Sequence, residues 1–351
     1  NRCYKRYLGY GKEMKKSGGF HTLGKQSMNG KVCLVTGSNS GTGYAAALEL
    51  AKAGATVVML CRNQEKGKTA QKEIIKSSGN KTVDLLIADL SNLDQVDNAV
   101  KDFKSQYNRL DVLLNNAGGI LEERRVTPQG LEESFAANYL GPFLLTQLLL
   151  DILIKSAPSR IIDVSSIANM YGKINFDDLQ TTQKYTYRKA YSQAKLAQLM
   201  ASYELADHLK DTGVTVNAMH PGAVASGFQQ KFSGAQRVVS NIVFKIVGSP
   251  PEKAAGTMVY LATSPDVEKV TGKNVRDFLL PRLFAPLGIE NPQWHTDPAG
   301  HTLAATQLYL TLDEFSRLGS LLLHGGEYGG KRLVGADYLR RLSSDCIDNR
   351  R

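Results

Sequence analysis

The sequence predicts an α/β fold, a doubly wound parallel sheet flanked by helices, followed by an appendage that abandons the pattern. Three observations predict it. Short apolar runs alternate with longer stretches of helical periodicity from Lys31 to about Gly272. The runs are rich in Val, Ile and Leu without regular polar alternation, as in strands covered on both faces. The first run passes through a glycine-rich turn directly into a helix.

In chain order the expected strands are Val32–Val35, Val57–Leu60, Leu85–Ala88, Val112–Leu114, Ile161–Val164 and Val214–Ala218. The expected helices lie near 43–53, 64–77, 92–106, 128–156, 188–210 and 251–263. Each strand is followed by a crossover long enough to return to the same end of a sheet. Residues 224–250 break the rhythm with a partly amphipathic excursion, placed where an open α/β sheet covers its ligand crevice. The alternation stops after Asn274. Three regions are therefore expected: a basic tail over 1–29, the alternating domain over 30–274, and a separate segment over 275–351.

Composition narrows the function classes. The 351 residues carry 43 Lys plus Arg against 33 Asp plus Glu, a formal net charge of +10. The first 31 residues hold eight basic residues against a single acid, Glu13. The excess is thus mainly a property of the tail, and nothing points to a nucleic-acid partner. The tail reads as a solvated arm, or as a patch for an acidic membrane surface. The four cysteines, Cys3, Cys33, Cys61 and Cys346, form no close pair, which excludes a disulfide scaffold and a Cys-rich zinc site. Cys33 and Cys61 fall in apolar runs and are expected in the core. The chemistry calls for no metal. The most apolar run, Tyr139 to Ile154, is broken by Thr146, Gln147 and Asp151 and reads as too short to span a membrane. The expected location is the cytoplasm, or a membrane face turned to the cytosol; the start at Asn1 leaves room for a lost anchor or signal.

The first turn reads Thr36-Gly37-Ser38-Asn39-Ser40-Gly41-Thr42-Gly43. Gly37 suits the tight turn, Gly41 a close approach to a pyrophosphate, and Gly43 close packing of helix on strand, with the free amides of the helix start facing the phosphates. The alternative is a purely structural turn. The second strand ends at Arg62 without the acid that would take a ribose 2′-hydroxyl, so a 2′-phosphate and NADP(H) are favoured over NAD(H). An exposed arginine opening a helix is the plainer reading. Asp89 and Leu90 close the third strand, where the carboxylate either bonds an adenine amine or caps the next helix. Asn116, Ala117 and Gly118 close the fourth, small enough for a ribose to approach, or simply a turn.

The chemical groups gather at the same strand ends. Tyr191 and Lys195 are four apart on an expected helix, one turn apart on one face. A nearby ammonium would lower the phenol pKa and fit Tyr191 for acid–base work, although the spacing is common in helices. Ser165 and Ser166 follow the fifth strand. Asn138 interrupts an apolar helix, as a functional amide or a buried one satisfying backbone. His220-Pro221-Gly222 ends the sixth strand, with His220 read as structural.

Taken together, Thr36-Gly37-x-x-x-Gly41-x-Gly43, Asn115-Asn116-Ala117-Gly118, Asn138, Ser166, Tyr191-x-x-x-Lys195 and Pro221-Gly222 resemble the short-chain dehydrogenase/reductase family. The resemblance covers about residues 30–274 and is nearest its retinol dehydrogenase-like branch. It implies a Rossmann-type fold and an NADP(H)-dependent oxidoreductase interconverting a lipophilic alcohol with its aldehyde or ketone. The insert between Ser166 and Tyr191 resembles that branch and points to Ser166 rather than Ser165. Catalytic roles are then implied for Asn138, Ser166, Tyr191 and Lys195: Tyr191 moves the proton, Lys195 binds the nicotinamide ribose, Ser166 polarises the carbonyl, and Asn138 holds a relay water. The implied cofactor seat is Gly37, Ser38, Asn39, Ser40, Gly41, Thr42, Gly43, Arg62, Asp89, Leu90, Asn116, Ala117, Gly118, Tyr191, Lys195, Pro221, Gly222 and Val224. A homodimer through the helices of Asn138 and Tyr191 is implied as well. Two residues depart from the pattern: Thr42 stands where an aliphatic residue is common, and Pro142 where His is frequent.

Phe278–Leu333 resembles an internal piece of the serine beta-lactamase and penicillin-binding-like hydrolases, through Arg282–Gly288, Asn291–Trp294 and Leu308–Thr311. Its nucleophile motif is missing from the segment, and Ser192–Lys195 merely overlaps the Tyr191 motif. Asn39 stands where a G-x-S-x-G turn would need its serine. A serine hydrolase is therefore the weaker alternative. A cofactor-binding protein with little turnover, its pocket altered by the replaced C-terminus, is the other.

Overall fold

The computed structural model describes residues 27–222 and 250–268, and beyond these 285–287, 289, 293–294, 308–309, 317, 321, 324 and 327–332. Most of the basic tail, the excursion over 224–250 up to residue 249 with Val224, and most of the segment resembling a hydrolase lie outside the described residues.

Six strands form one parallel sheet: β1 (Val32–Thr36), β2 (Thr56–Cys61), β3 (Val83–Ile87), β4 (Val112–Asn115), β5 (Ser159–Val164) and β6 (Val214–Met219), in the order β3-β2-β1-β4-β5-β6. The helices between them are α1 (Gly41–Lys52), α2 (Gln64–Ser78), α3 (Leu93–Gln106), α4 (Glu133–Lys155), α5 (Tyr187–His208), α6 (Pro251–Thr263) and the short α7 (Pro265–Glu268). The order reverses between β1 and β4, which opens a crevice at the carboxyl ends of those strands. This is the doubly wound, Rossmann-type sheet expected from the sequence.

Local chemistry sets the helix ends. Asn63 caps α2 by accepting from the Lys66 amide, and Gly79 closes it in the left-handed region at φ 73°. Asn92 caps α3 through the amides of Asp94 and Gln95. Thr186 caps α5 through the Lys189 amide. Two apolar layers fill the faces of the sheet. Leu50, Met59 and Ile74 lie in one, Leu113, Leu149 and Phe103 in the other, all buried. Cys33 and Cys61 are buried free thiols, as expected.

Two expectations need correction. β3 is an edge strand, so its burial alternates and Ile87 is 42% exposed, unlike the continuous burial of the inner strands. The helix expected over 128–156 starts only at Glu133, because Thr127 and Gly130 close a turn ahead of it. It also contains a π turn over Ala136–Leu140. α4 runs for 23 residues and holds an 18-residue window of mean hydropathy 1.4, so it passes by length and composition as a span, a test that the core helix of a soluble protein also passes. Leu145, Leu149, Ile152 and Leu153 of this helix are buried in the core beside the sheet.

At the amino ends of the strands, Asp111 ties β1 to β4. Its buried carboxylate accepts from Lys31 Nζ (2.9 Å), the Val32 amide (2.9 Å) and both Nε (2.8 Å) and Nη2 (2.6 Å) of Arg109. Burial alone would raise its pKa, but the bonds from Arg109, Val32 and Lys31 outweigh that and hold the carboxyl below its usual range. The stabilisation is present above the unfolded pKa and is lost as pH falls through the lower folded one. Asp111→Asn should therefore cost on the order of 1–2 kcal/mol near neutral pH, discounted because both cations are partly exposed. Urea titrations at a series of pH values should show that gap closing below about pH 4. A gap constant with pH would remove the charge from the account.

By compactness the chain divides into two units, Asn1–Thr271 and Gly272–Arg351. In the second, strands β7 (Gln293–Trp294) and β8 (Leu308–Tyr309) pair antiparallel, as do β9 (Glu327–Tyr328) and β10 (Lys331–Arg332). The last two are joined by Gly329 and Gly330 at φ 57° and 75°, the double positive φ that a two-residue hairpin turn requires.

Candidate active site

The crevice begins at the turn after β1. Gly37 sits at φ 66°, and a Cβ there would come within 3.0 Å of the Ala117 Cα. Gly43 is tighter: its Cβ would lie 2.4 Å from Asn116 Nδ2 and 2.5 Å from the Gly37 carbonyl oxygen. Close packing of α1 on the turn is thus built into this position.

A hydrogen-bond lattice locks the turn to the end of β4. Thr36 Oγ1 accepts from the amides of Asn116 and Ala117, each at 2.9 Å. Asn116 Nδ2 donates to the Thr36 carbonyl (3.0 Å), and Asn116 Oδ1 accepts from Thr42 Oγ1 (2.8 Å). Thr42, a departure from the family pattern, here adds a bond that an aliphatic residue could not make. Ser38 is buried with its hydroxyl 3.5 Å from the Cys61 sulfur, so only its backbone remains for a ligand. The Ser40 side chain makes no capping bond, and the first turn of α1 contains no acid. Amides free of a side-chain cap, beside glycines that admit no Cβ, fit a dinucleotide pyrophosphate.

Arg62 lies at the carboxyl end of β2 and is 64% exposed, with Nη1 3.4 Å from Asp89 Oδ2. Asp89 Oδ1 accepts from the amide (2.9 Å) and hydroxyl (2.8 Å) of Ser91. Asn92 supplies the cap of α3, which removes capping as the role of Asp89. Leu90 is buried beneath. A cleft of about 420 Å³ adjoins Arg62, lined by Ile120, Leu121, Glu122, Glu123, Arg125 and Glu133.

At the ends of β5 and β6 the chemical groups converge. Ser166 hydrogen-bonds the Tyr191 side chain and also accepts from the Ala168 amide at 3.2 Å. Ser165 is turned to the Lys195 carbonyl (3.5 Å) and to Asn169 Nδ2 (3.3 Å), so the structure joins Ser166, not Ser165, to the tyrosine. Lys195 Nζ lies 6.0 Å from the Tyr191 ring centre and donates to the Val164 carbonyl (2.8 Å) and Gln198 Oε1 (2.9 Å). Lys195 is 2% exposed. Burial pulls its pKa down to about 8, against a raising pull from Asp163.

Tyr191 departs from expectation. Burial raises its phenol pKa, and the Ser166 bond only partly offsets that. The lysine's ammonium is held by Val164 and Gln198 rather than by the phenol, so burial sets the direction of the shift.

Asn138 occupies the π turn, a local irregularity often found at functional sites. Its Oδ1 accepts from the Gly119 amide (2.9 Å), and its Nδ2 donates to the carbonyls of Gly119 (2.9 Å) and Ser134 (2.8 Å). The side chain is thus a buried amide satisfying backbone, and it fixes the segment after β4. A Cβ on Gly118 would meet Asn138 Oδ1 at 2.8 Å and Lys195 Nζ at 3.5 Å, which puts these three residues together. Pro221 and Gly222 follow β6. The sequence reading missed Asp163, Gln198 and Ser202, although an acid inside the apolar run Ile161–Val164 was a visible signal.

Residues 31–237 match the short chain dehydrogenase family. Retinol dehydrogenase 13 of Homo sapiens is 39% identical over 254 residues, 71% of this chain and 77% of that protein. Retinol dehydrogenase 14 of Mus musculus is 41% identical over 262 residues, covering 71% and 78%. Among solved structures, a short chain dehydrogenase from Pseudomonas syringae has TM-score 0.57 and 26% identity, covering 72% of this chain and 96% of that one. One from Shigella flexneri, complexed with NADP, has TM-score 0.56 and 25% identity, covering 71% and 97%.

Proposed function

The chain belongs to the short-chain dehydrogenase family, and on that footing we propose that it interconverts a lipophilic alcohol and its aldehyde or ketone with NADP(H). As an oxidoreductase related to the retinol dehydrogenases it uses a nicotinamide cofactor; the substrate class, the NADP preference and the residue roles are the proposal. The observation that carries it is the hydrogen-bonded Ser166–Tyr191 pair beside a buried Lys195, at the same end of the sheet as the glycine turn.

The cofactor, when bound, supplies the hydride. The chain's residues do the rest. The amides opening α1 and the turn from Gly37 to Gly43 hold the pyrophosphate, and Arg62 takes the 2′-phosphate. Ser166 orients the carbonyl oxygen, and Tyr191 gives it a proton during reduction and recovers it during oxidation. Lys195 is mostly cationic at neutral pH and stabilises the phenolate that this transfer leaves. Asn138 clamps Gly119 and so keeps Gly118 close to the lysine.

A lipophilic substrate is supported by Ile167, Met170, Tyr171 and Phe176, all more than half exposed in the segment after Ser166. Phe143 and Ile154, exposed on α4, support a homodimer through that helix.

The test is fluorescence titration with NADPH and NADH, followed by loss of reduced-nicotinamide absorbance with a panel of long-chain aldehydes. Arg62→Ala should weaken NADPH binding by about 10- to 100-fold, the scale of a lost charge-assisted bond, and leave NADH unchanged. An unaltered NADPH-to-NADH ratio would remove Arg62 from cofactor choice. Tight binding without turnover on any carbonyl would favour a binding protein over an enzyme.

A further inference from the structure

Beneath the reacting pair lies an ionisable group that the proton transfer above does not use. Asp163, on β5, is only 7% exposed. Its Oδ1 accepts from Asn115 Nδ2 (2.9 Å) and its Oδ2 from Ser202 Oγ (2.6 Å). Lys195, Gln198 and Ser202 are three and four residues apart on α5, hence on one face of the helix. That face meets β5: Ser202 bonds Asp163 itself, and Lys195 Nζ bonds the carbonyl of Val164, the next residue. Gln198 Oε1 holds the lysine from the other side.

The two charges have few other ways to be compensated. An isolated buried ammonium or carboxylate is costly, and removing one member of a buried pair leaves the other exposed to that cost. Among the described residues, the ionisable groups placed near Lys195 are Tyr191 on its own helix and Asp163 on β5. Near Lys195, α4 contributes Asn138 and the segment after β4 Gly118, and near Asp163 β4 contributes Asn115, none of which ionises. Around Asp163 the hydrogen-bond partners, Asn115 and Ser202, are neutral.

We propose that Asp163 is a positioning residue whose carboxylate is the buried counter-ion of Lys195, keeping the ammonium charged through the working pH range and setting the alkaline limit of carbonyl reduction. The second half of this rests on the function proposed above; the first half does not. Burial pulls Lys195 down to about 8 and pushes the Asp163 carboxyl up, while their mutual attraction opposes each shift at its own group.

Asp163→Asn tests it, since the amide keeps the shape and can still meet Asn115 and Ser202. The first readout needs no cofactor: thermal unfolding of the full chain from about pH 6 to about pH 10. The variant should be less stable than the parent at the acid end, where its ammonium is unpaired. The gap should close and then reverse toward the alkaline end, where the parent retains a lone buried carboxylate. The second readout is the pH profile of aldehyde reduction. Its alkaline limb should move down by about one pH unit, so that the rate falls about tenfold at a pH on that limb. Ser202→Ala, which keeps the charge but removes one bond to it, should move both readouts the same way by less. A stability offset that does not change with pH, together with an unmoved alkaline limb, overturns the proposal. If the parent reduces no carbonyl, the function fails, and the unfolding series still decides whether the two buried charges are coupled.

Discussion

Tyr191→Phe should lower turnover by about 10²- to 10⁴-fold, the range lost when a positioned general acid is removed. The ring is 9% exposed and its packing is unchanged by the substitution, so the fold and the cofactor seat should survive. What disappears is one hydroxyl, which in the parent is bonded to Ser166. The expected pattern is therefore a collapse of kcat with NADPH affinity within about twofold of the parent, since the seat around Gly37 and Gly43 makes no use of the phenol. Parallel measurement of kcat and NADPH Kd separates the two. Retention of more than about a tenth of the activity would mean that another group moves the proton, because acid–base roles are worth more than that.

The pH behaviour of this transfer follows from the buried lysine. Its pKa of about 8 lies below the unfolded value, so the ammonium that stabilises a Tyr191 phenolate is present at neutral pH and is lost as pH rises through that point. Reduction should therefore decline on the alkaline side, and it should do so before free tyrosine would titrate. The raised phenol pKa favours a protonated Tyr191 ready to donate. The arrangement thus suits reduction at neutral pH.

Much of this was legible in the sequence because it is carried by local pattern. The six strands announce themselves as Val-, Ile- and Leu-rich runs, and the dinucleotide turn as three glycines at the first of them. Tyr191 and Lys195 stood out only in combination with the glycine turn and the other strand-end motifs, since their spacing is common in helices. What escaped was set by contacts between elements distant in the chain. The choice of Ser166 over Ser165 was reached only through the family resemblance; in the structure it is made by which hydroxyl meets the Tyr191 side chain, a matter of strand-end geometry. The role of Asp89 was ambiguous because Asn92, three residues on, could cap the helix equally well, and it does. The π turn at Asn138 has no sequence signature, since one extra residue in a helix leaves the apolar period almost intact. The Tyr191 shift ran opposite to expectation because proximity in sequence fixed the helix face but not where the lysine's amine would point. Asp163 and Lys195 come into one neighbourhood, through Ser202 and the Val164 carbonyl, only because β5 and α5 pack together, 32 residues apart in the chain.

Gly43→Ala should abolish tight cofactor binding, by at least about 100-fold, and destabilise the domain by about 1–3 kcal/mol, the usual cost of overpacking. Ala normally stabilises a helix relative to Gly, so the expected sign is opposite to that of propensity and rests on space alone. The added methyl would stand 2.5 Å from the Gly37 carbonyl oxygen and 3.0 Å from its carbon, and backbone cannot step aside by changing rotamer. It would also stand 2.4 Å from Asn116 Nδ2, the atom that ties β4 to the Thr36 carbonyl. Relief requires either moving α1 away from β1 or surrendering the Thr36–Asn116–Thr42 lattice. Both displace the helix N-terminus from the turn whose amides are assigned to the pyrophosphate. Thr42→Val is the graded companion: it removes only the 2.8 Å bond to Asn116 and should weaken NADPH binding by no more than about tenfold. Thermal unfolding and NADPH titration on both variants read the two effects separately. Should Gly43→Ala lose stability yet bind NADPH normally, the glycine would be a packing position only, and the anion seat would have to be sought away from the start of α1.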